Sequence, residues 1–475
     1  MNGRRRREVA GFMDANHISR RGFLAATAGA LATCAPKATA GSPSADPAKK
    51  PNFLVLVSDQ QHWQAIGAVD SWFDTPNLDA LVADGILIEN AFYTTPQCSP
   101  SRSSLMTGCY HSRTGVMGNI GAAGGDPLKQ PTIGGMLQQA GYTTGYFGKW
   151  HLGGEPEANT GWDEESKSSL DPETTAQGID FLRRHSNSDK PFALFLHWLD
   201  PHDIYHFKRD KGADDSATAP LPESWHKETF ANKPPIHKQF MTEDQGTIIW
   251  EDGRPNWEWC RHFYRAKVKL YDDYAGKVIA ALKENGLWDN TVIVSTSDHG
   301  DMDTHHRLIF KGPFMYEHMV RIPGIFRVPE AFGGANSRRV ADFHTVNVDI
   351  APTLLDLAGV EGPSCDGRSL KPLLTGDEMP NRDYVIGQYY SKQKWVNPIR
   401  MLRTSEFKYN RYILHGEELY DLRNDPRELV NLADDSSYEK RKKELAAELD
   451  RWIKDNDDPF YSLRSTNRQG NVLRG

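Results

Sequence analysis

Three side chains that can bind a metal ion stand at the ends of two strongly apolar segments of the chain. Asp59 ends the run at residues 53–59, and Asp298 and His299 end the run at residues 291–299. Continuous apolar, β-branched runs of this length are typical of strands buried on both faces of a parallel sheet. In open α/β sheets, ligands bind beyond the carboxyl ends of the strands. Two carboxylates and an imidazole at such ends would suit a divalent cation.

Cys98 is a candidate reactive group of a different kind. It opens the sequence Cys-Ser-Pro-Ser-Arg at residues 98–102, and the following Ser- and Thr-rich segment would suit a helix start, where the dipole favours an anion. The cysteine could be an ordinary loop thiol, but chance yields Cys-x-Pro-Ser-Arg in such a chain in roughly one case in a thousand. Lys149 and His151 follow a strand-like segment and, two residues apart, would point to one side.

The elements that must position these residues are those of an α/β fold. A third apolar run at residues 192–197 and helical stretches at 132–140 and 264–285 predict a large mixed, mostly parallel sheet sandwiched by helices. Beyond roughly residue 375, short strands and a charged amphipathic helix predict a smaller C-terminal α+β subdomain. The expected strands lie at residues 384–390, 399–404, 407–414 and 417–422, and the helix at 438–456. The predicted domains are a catalytic domain at 52–375 and a C-terminal subdomain at 376–475.

The N-terminal segment is typical of an export signal. Arg20-Arg21-Gly22-Phe23-Leu24 precedes a short apolar, Ala-rich run, and Ala38-Thr39-Ala40 offers small residues for cleavage. Residues 1–40 therefore predict a twin-arginine signal peptide and a periplasmic or secreted protein that uses the twin-arginine export machinery, followed by a linker at 41–51. The residues before Cys34 partly match a lipobox, so lipidation of Cys34 stays open.

Composition excludes several other classes of protein. With 38% hydrophobic and 25% charged residues, the 475-residue chain has a globular composition. Residues 1–40 carry seven basic and two acidic side chains, so removing them takes the formal net charge from −7 to about −12. A chain this acidic is not expected to bind nucleic acid. Apart from Cys34 and Cys98, three cysteines remain (Cys109, Cys260 and Cys365), which allow at most one disulfide bridge.

The motif at residues 98–102 resembles the active-site signature of the formylglycine-dependent sulfatase family, within the alkaline phosphatase superfamily. The resemblance extends over nearly the whole chain after the signal peptide. Its further matches are at residues 104–108, 113–115, 145–153, 201–202, 296–301, 311–317, 349–356, 366–370 and 419–426.

The resemblance implies a catalytic role for several residues. Cys98 would be oxidised to formylglycine (3-oxoalanine) by a formylglycine-generating enzyme, in the cytoplasm before folding and export. One hydroxyl of the hydrated aldehyde would attack sulfur, and the other would later expel sulfate. Arg102 would orient this diol, while Lys149 and His151 would contact the diol and the sulfate. Lys311 would hold a sulfate oxygen, and His202 would protonate the leaving oxygen.

The resemblance also implies a divalent metal beside the diol. Its ligands would be Asp59, Gln60, the modified Cys98, Asp298 and His299. Gln60 and His299 stand where Asp and Asn are frequent in the family. Oxygen ligands favour Ca²⁺, and the imidazole makes Mn²⁺ a competitor. A further candidate, His306, would grip the substrate together with Lys311.

The indications of the substrate come from one long segment between two predicted elements. The long segment 204–261, predicted to be irregular, holds tryptophans and cations that suit a sulfated carbohydrate or, equally, a satellite core. The tryptophans are Trp225, Trp250, Trp257 and Trp259, and the cations are Lys208, Arg209, Lys227 and Arg261. Alternatives are an aryl- or choline-sulfatase and a phosphonate or phosphate monoester hydrolase of the same fold. A catalytically inactive glycan-binding protein is disfavoured, because every expected catalytic position is filled.

Overall fold

A computed structural model describes residues 50–154, 161–207, 219–251, 254–335 and 337–474. The predicted signal peptide, Cys34, most of the linker, Lys208 and Arg209 lie outside these residues. The described residues belong to one compact unit. Its strands are β1 (Asn52–Asp59), β2 (Ile86–Phe92), β3 (Thr143–Gly148), β4 (Glu164–Ser166), β5 (Phe192–Pro201), β6 (Trp250–Glu251), β7 (Arg254–Pro255), β8 (Thr291–Ser297), β9 (Gly324–Arg327), β10 (Arg338–Val346), β11 (Val385–Lys392), β12 (Trp395–Arg403), β13 (Phe407–Tyr412) and β14 (Glu417–Asp421).

The helices flank these strands along the chain. They are α1 (Pro76–Asp84), α2 (Cys98–Thr107), α3 (His111–Thr114), α4 (Ile133–Gln139), α5 (Asp171–His185), α6 (Glu223–Lys227), α7 (Pro235–Glu243), α8 (Trp257–Glu284), α9 (Glu317–Val320), α10 (Ile350–Leu357), α11 (Lys371–Thr375) and α12 (Glu439–Asp455). Short 3₁₀ helices include His202–His206 and His305–Arg307. Among the described residues, no helix has the length and apolar character needed to cross a membrane.

The main sheet has eight strands among the described residues, in the order β10-β2-β9-β8-β1-β5-β3-β4. Only β9 runs antiparallel to its neighbours β2 and β8, and the other pairs are parallel. The predicted mixed, mostly parallel sheet is confirmed. In the register of the central strands, Val57 stands opposite both His197 and Thr296. The polar residues that follow these strands therefore lie at a single edge of the sheet.

Alternate residues of β1 enter two different hydrophobic layers. Phe53, Val55 and Val57 pack in a cluster with side chains of α4 and α10. Leu54 and Leu56 pack in another cluster with side chains of α1, α5 and α8. Because successive strand residues face opposite sides, a fully apolar strand requires cover on both faces. The helix layers on the two faces of the sheet supply that cover.

Helix α8 begins earlier than the sequence predicts. It starts at Trp257, whereas the apolar pattern indicated a start at residue 264. The added turns bury Trp257, Cys260 and Phe263 in the core. The segment 204–261, predicted to be irregular, also contains α6 and α7. The prediction of an irregular loop was therefore wrong, because short amphipathic turns punctuated by proline hide a helical period.

The C-terminal subdomain is an antiparallel sheet in the order β11-β12-β13-β14, covered by α12. The helix buries Leu445, Leu449 and Ile453, which recur every four residues on one face. They pack on Leu402, Tyr409 and other side chains of the sheet. The predicted subdomain is confirmed, and Lys392 at the end of β11 contacts Lys311 of the larger part of the chain.

Two fully buried histidines make the free energy of unfolding depend on pH. Burial lowers the pKa of His111 to about 3 and that of His237 to about 4. In the unfolded chain both rings titrate near 6.5, so below that pH the unfolded chain binds more protons than the folded one. The two neutral rings therefore cost no stability above pH 6.5. Below that pH they lower the free energy of unfolding as the pH drops, by up to about 1.4 kcal/mol per pH unit for each ring.

Urea unfolding between pH 7 and 4.5 measures this slope. His237→Gln is expected to flatten it by about one proton, whereas the exposed His226→Gln should not change it. An identical slope in His237→Gln and the parent protein would contradict the assignment.

Candidate active site

Cys98 is the first residue of α2 and is buried, with 1% of its surface exposed. Its Sγ lies 2.9 Å from Lys311 Nζ, 3.2 Å from His299 Nε2, 3.7 Å from Lys149 Nζ and 3.8 Å from Asp59 Oδ1. Burial alone would raise the pKa of this thiol, but Lys149, Lys311 and His299 hold it well below its ordinary value. The position therefore favours a negatively charged group beside a helix N-terminus.

Arg102 stands one helical turn further along α2 and joins the two acidic strand ends. Its Nε donates to Asp298 Oδ2 at 2.9 Å, and a terminal nitrogen donates to Asp59 Oδ2 at 3.0 Å. All three side chains are buried. The same guanidinium donates to the carbonyl oxygen of Lys149 at 2.8 Å and lies 2.8 Å from His197 Nδ1. Arg102 thus fixes the relative positions of β1, β3, β5 and the residues that follow β8.

Asp59, Cys98, Asp298 and His299 bring four potential metal-ligand atoms within 4.8 Å of one another. The Nδ1 of His299 lies 2.9 Å from the carbonyl oxygen of Gly300, which leaves Nε2 directed at the cluster. This Nε2 is 3.6 Å from a carboxylate oxygen of each aspartate. The arrangement gives hard oxygen ligands with one imidazole.

Gln60 supplies an independent test of whether a metal fits. Its backbone N–H donates to Asp298 Oδ1 at 3.1 Å, and its Nε2 donates to Asp301 Oδ2 at 2.6 Å. Its Oε1 is buried and finds no hydrogen-bond partner among the described residues. An amide oxygen left in this way beside two carboxylates fits a cation ligand. The backbone of Gln60 also has a positive φ of 74°, a strained conformation of the kind that concentrates at functional sites.

Two histidines and a lysine line the more open side of Cys98. The ammonium of Lys149 pairs with Asp59 Oδ2 and is 11% exposed. His151 has a positive φ of 56° and is one of the groups that lower the pKa of Cys98. His202 begins the 3₁₀ helix after β5, and Cys98 is one of the groups that act on the pKa of its ring. Burial, reinforced by Lys311 and Lys149, lowers the pKa of His202 to about 4.

The structure does not bring His306 to this cluster. Its Nδ1 lies 2.7 Å from Glu228 Oε2, and its ring stacks on Tyr316 at 4.0 Å between centroids. Lys233 completes the group with a 2.8 Å ion pair to Glu228. These contacts explain the burial of His306 without a substrate, and its expected substrate-binding role stays a prediction.

Two residues that the sequence did not single out support the site. His197 lies against Arg102. Its place at the end of an apolar run, like that of Asp59, is the sequence pattern that could have indicated this role.

Lys392 at the end of β11 donates from Nζ to the carbonyl oxygen of Lys311 at 2.5 Å, and its Nζ lies 4.5 Å from the Phe240 ring centroid. Burial lowers the pKa of Lys392 to about 7, against the opposing charge of Asp244.

Removing the Lys392 ammonium tests its support of Lys311. Lys392→Met keeps the apolar stem but frees the Lys311 carbonyl, and we expect kcat to fall about tenfold with little change in KM. The matched control is Lys394→Met, an exposed lysine two residues away. Steady-state kinetics give kcat and KM for both variants. A loss in KM alone, or an equal loss in the control, would contradict the positioning role.

The tryptophans of the segment 204–261 divide between core and surface. Trp225, Trp257 and Trp259 pack against the core, and Trp259 Nε1 donates to the carbonyl oxygen of Phe207 at 2.7 Å. Trp250 is 52% exposed. A satellite core therefore accounts for three of the four, and Trp250 lies at the surface.

Comparison with known proteins agrees with this geometry. The sulfatase family model matches residues 51–360, and the model described as "N-sulphoglucosamine sulphohydrolase, C-terminal" matches residues 305–455. A Delta 4,5-hexuronate-2-O-sulfatase of Bacteroides thetaiotaomicron is 31% identical over 446 residues, covering 88% of this chain and 91% of that protein. An N-acetylglucosamine-6-O-sulfatase of the same organism is 29% identical, covering 90% of each.

A solved structure, that of BT4656 in complex with its substrate D-glucosamine-2-N,6-O-disulfate, has a TM-score of 0.73 and 25% identity. It covers 86% of this chain and 99% of its own. The family match spans well over half of the chain and includes every residue of the Cys98 cluster. The chain therefore belongs to the sulfatase family and is a sulfuric ester hydrolase.

Proposed function

We propose that this sulfatase removes sulfate from a sulfated carbohydrate, through formylglycine at position 98 and a divalent cation. The observation that carries the proposal is the setting of Cys98. It combines a helix N-terminus, two lysine ammonium groups within 3.7 Å and a buried cluster able to bind a metal. Formylglycine at this position would supply a hydrated aldehyde whose hydroxyl groups attack sulfur and later expel sulfate.

The side chains around position 98 have distinct tasks in this reaction. Lys149 and Lys311 neutralise the sulfate oxygens, and both already lie beside the reactive atom. Arg102 holds Asp59 and Asp298 in place. His202 donates a proton to the leaving oxygen. Its low pKa arises from burial and the two lysines, so the negative charge of a bound sulfate ester would raise it towards the acid form.

The proposed metal ligands are the four buried groups of the cluster and Gln60 Oε1. When bound, the cation would act as a Lewis acid that neutralises negative charge at position 98. We favour Ca²⁺ because most of the donors are oxygens, with Mn²⁺ as the competitor because of the imidazole of His299.

The carbohydrate assignment draws on the relatives and on the surface of the chain. The two relatives are named for sulfate groups on hexuronate and N-acetylglucosamine, and the solved structure holds a disulfated glucosamine. Trp250 is an exposed aromatic ring in the segment between β5 and α8, where a sugar could stack.

We further propose that the chain is exported by the twin-arginine route, supported by residues 20–24, and that a formylglycine-generating enzyme modifies Cys98, supported by residues 98–102.

Parallel assays on sulfated sugars, aryl sulfate, choline sulfate and phenylphosphonate test the assignment. We expect free sulfate to be released fastest from a sulfated hexuronate or hexosamine. Turnover of phenylphosphonate above every sulfate ester would overturn the substrate assignment. Faster turnover of aryl or choline sulfate than of every sugar would overturn the carbohydrate part alone.

A further inference from the structure

Two cysteines that the reaction does not use lie at the far end of α2. The helix ends at Thr107, and residues 108–110 then run beside residues 365–367. The carbonyl oxygen of Gly108 accepts from the N–H groups of Asp366 at 2.9 Å and Gly367 at 3.0 Å. The Tyr110 N–H donates to Asp366 Oδ2 at 2.7 Å. These bonds place Cys109 and Cys365 in adjoining, hydrogen-bonded segments.

The sulfur atoms share one environment. Cys365 Sγ lies 3.3 Å from the position that a Cβ on Gly108 would occupy, and Cys109 is one peptide unit further along. Both thiols act on the guanidinium of Arg113 and raise its pKa, after the larger effect of the hydrogen bond that Arg113 donates to Asp366. Burial raises the pKa of Cys109, and Cys365 adds to that rise. Both side chains are half-buried, whereas Cys260 is buried in the core.

We propose that Cys109 and Cys365 are oxidised to a disulfide when the folded chain meets a disulfide donor such as a thiol–disulfide oxidoreductase or glutathione disulfide. The two thiols lose two protons and two electrons as the S–S bond forms. The donor disulfide accepts them and becomes two thiols. Both thiols are free in the structure, so bond formation requires side-chain rotation within the adjoining segments.

The bridge would anchor the helix that carries the catalytic residues. It would tie the C-terminal end of α2 to the segment 365–367, which is about 255 residues away along the chain. Cys98 and Arg102 lie on the same helix. Cys98 starts the helix, and ten residues rise about 15 Å, so its sulfur would be out of reach of exchange with the bridge.

Peptide mass spectrometry of the full-length protein tests the pairing. The protein is equilibrated in a glutathione redox buffer, alkylated, and digested without reduction. We expect a linked peptide pair containing Cys109 and Cys365, with Cys260 alkylated only after denaturation. Separate alkylation or glutathionylation of Cys109 and Cys365, or a link from either one to Cys260, would overturn the proposal. The result does not depend on the proposed substrate or on activity.

Thermal unfolding of variants separates a bridge from simple packing. In the oxidised protein, Cys109→Ser and Cys365→Ser should each lower the midpoint by roughly 2–5 °C, and the double variant by the same amount. Dithiothreitol should abolish these differences by lowering the midpoint of the parent protein. Differences that persist under dithiothreitol, or that add in the double variant, would contradict a bond between the two sulfurs.

Discussion

Replacing Cys98 with alanine is expected to lower the rate of sulfate release by at least about 10⁴-fold, because it removes the group that forms the nucleophile. The lysines at 2.9 and 3.7 Å from Sγ remain, so binding of a sulfated substrate should persist. Cys98→Ser sharpens the test. A serine hydroxyl could attack sulfur but could not expel sulfate afterwards, so at most one turnover and a sulfated protein are expected. Rates of sulfate release and intact mass distinguish the two variants.

The matched control is Cys260→Ala, which removes a thiol that is buried in the hydrophobic core and is not one of the four clustered ligands. It should keep most of the activity and show the same circular dichroism spectrum as the parent protein. Sulfatase activity within tenfold of the parent in Cys98→Ala would rule out Cys98 as the source of the nucleophile.

Asp298→Asn is expected to remove both metal binding and activity. Asp298 accepts hydrogen bonds from Arg102 and from the Gln60 backbone, and it faces His299 Nε2 at 3.6 Å. The substitution removes one of the two negative charges that would hold a dication, so metal affinity should fall at least about 100-fold and kcat about 10³-fold. Elemental analysis after dialysis against a weak chelator measures the loss of metal, and initial rates measure the loss of kcat.

Asp272→Asn serves as the control for the loss of a buried carboxylate. Asp272 accepts from the backbone of Leu78 at 2.8 Å and from the Asn77 side chain, away from the cluster. Its loss should reduce stability without changing the metal content. Equal metal content in Asp298→Asn and the parent protein would show that the cluster is not the metal site.

The fold and the central residues of the site followed from patterns with a direct physical cause. Apolar runs predicted β1, β5 and β8, because strands buried on both faces cannot carry polar residues in their interiors. Asp59 and Asp298 were then placed together by the rule that parallel strands end at a common edge. The same rule could have identified His197, which stands opposite Val57 in the sheet.

The remaining features depend on tertiary contacts that the sequence does not display. His306 stands two residues after a left-handed Thr304 and is itself left-handed, with φ of 56°. Its side chain therefore reaches Glu228 rather than Cys98, which spacing along the chain could not reveal. Lys392 meets Lys311 across 81 residues and from the C-terminal subdomain. A single lysine at the end of a strand carries no pattern from which that contact could be inferred.

The chemical state of residue 98 in active protein tests whether formylglycine supplies the nucleophile. Mass spectrometry of the peptide that spans residues 98–102 is compared with specific activity across preparations made with and without a formylglycine-generating enzyme. We expect specific activity to rise in proportion to the fraction of formylglycine and to be absent where only the thiol is found. Full sulfatase activity in a preparation whose Cys98 is entirely unmodified would contradict it.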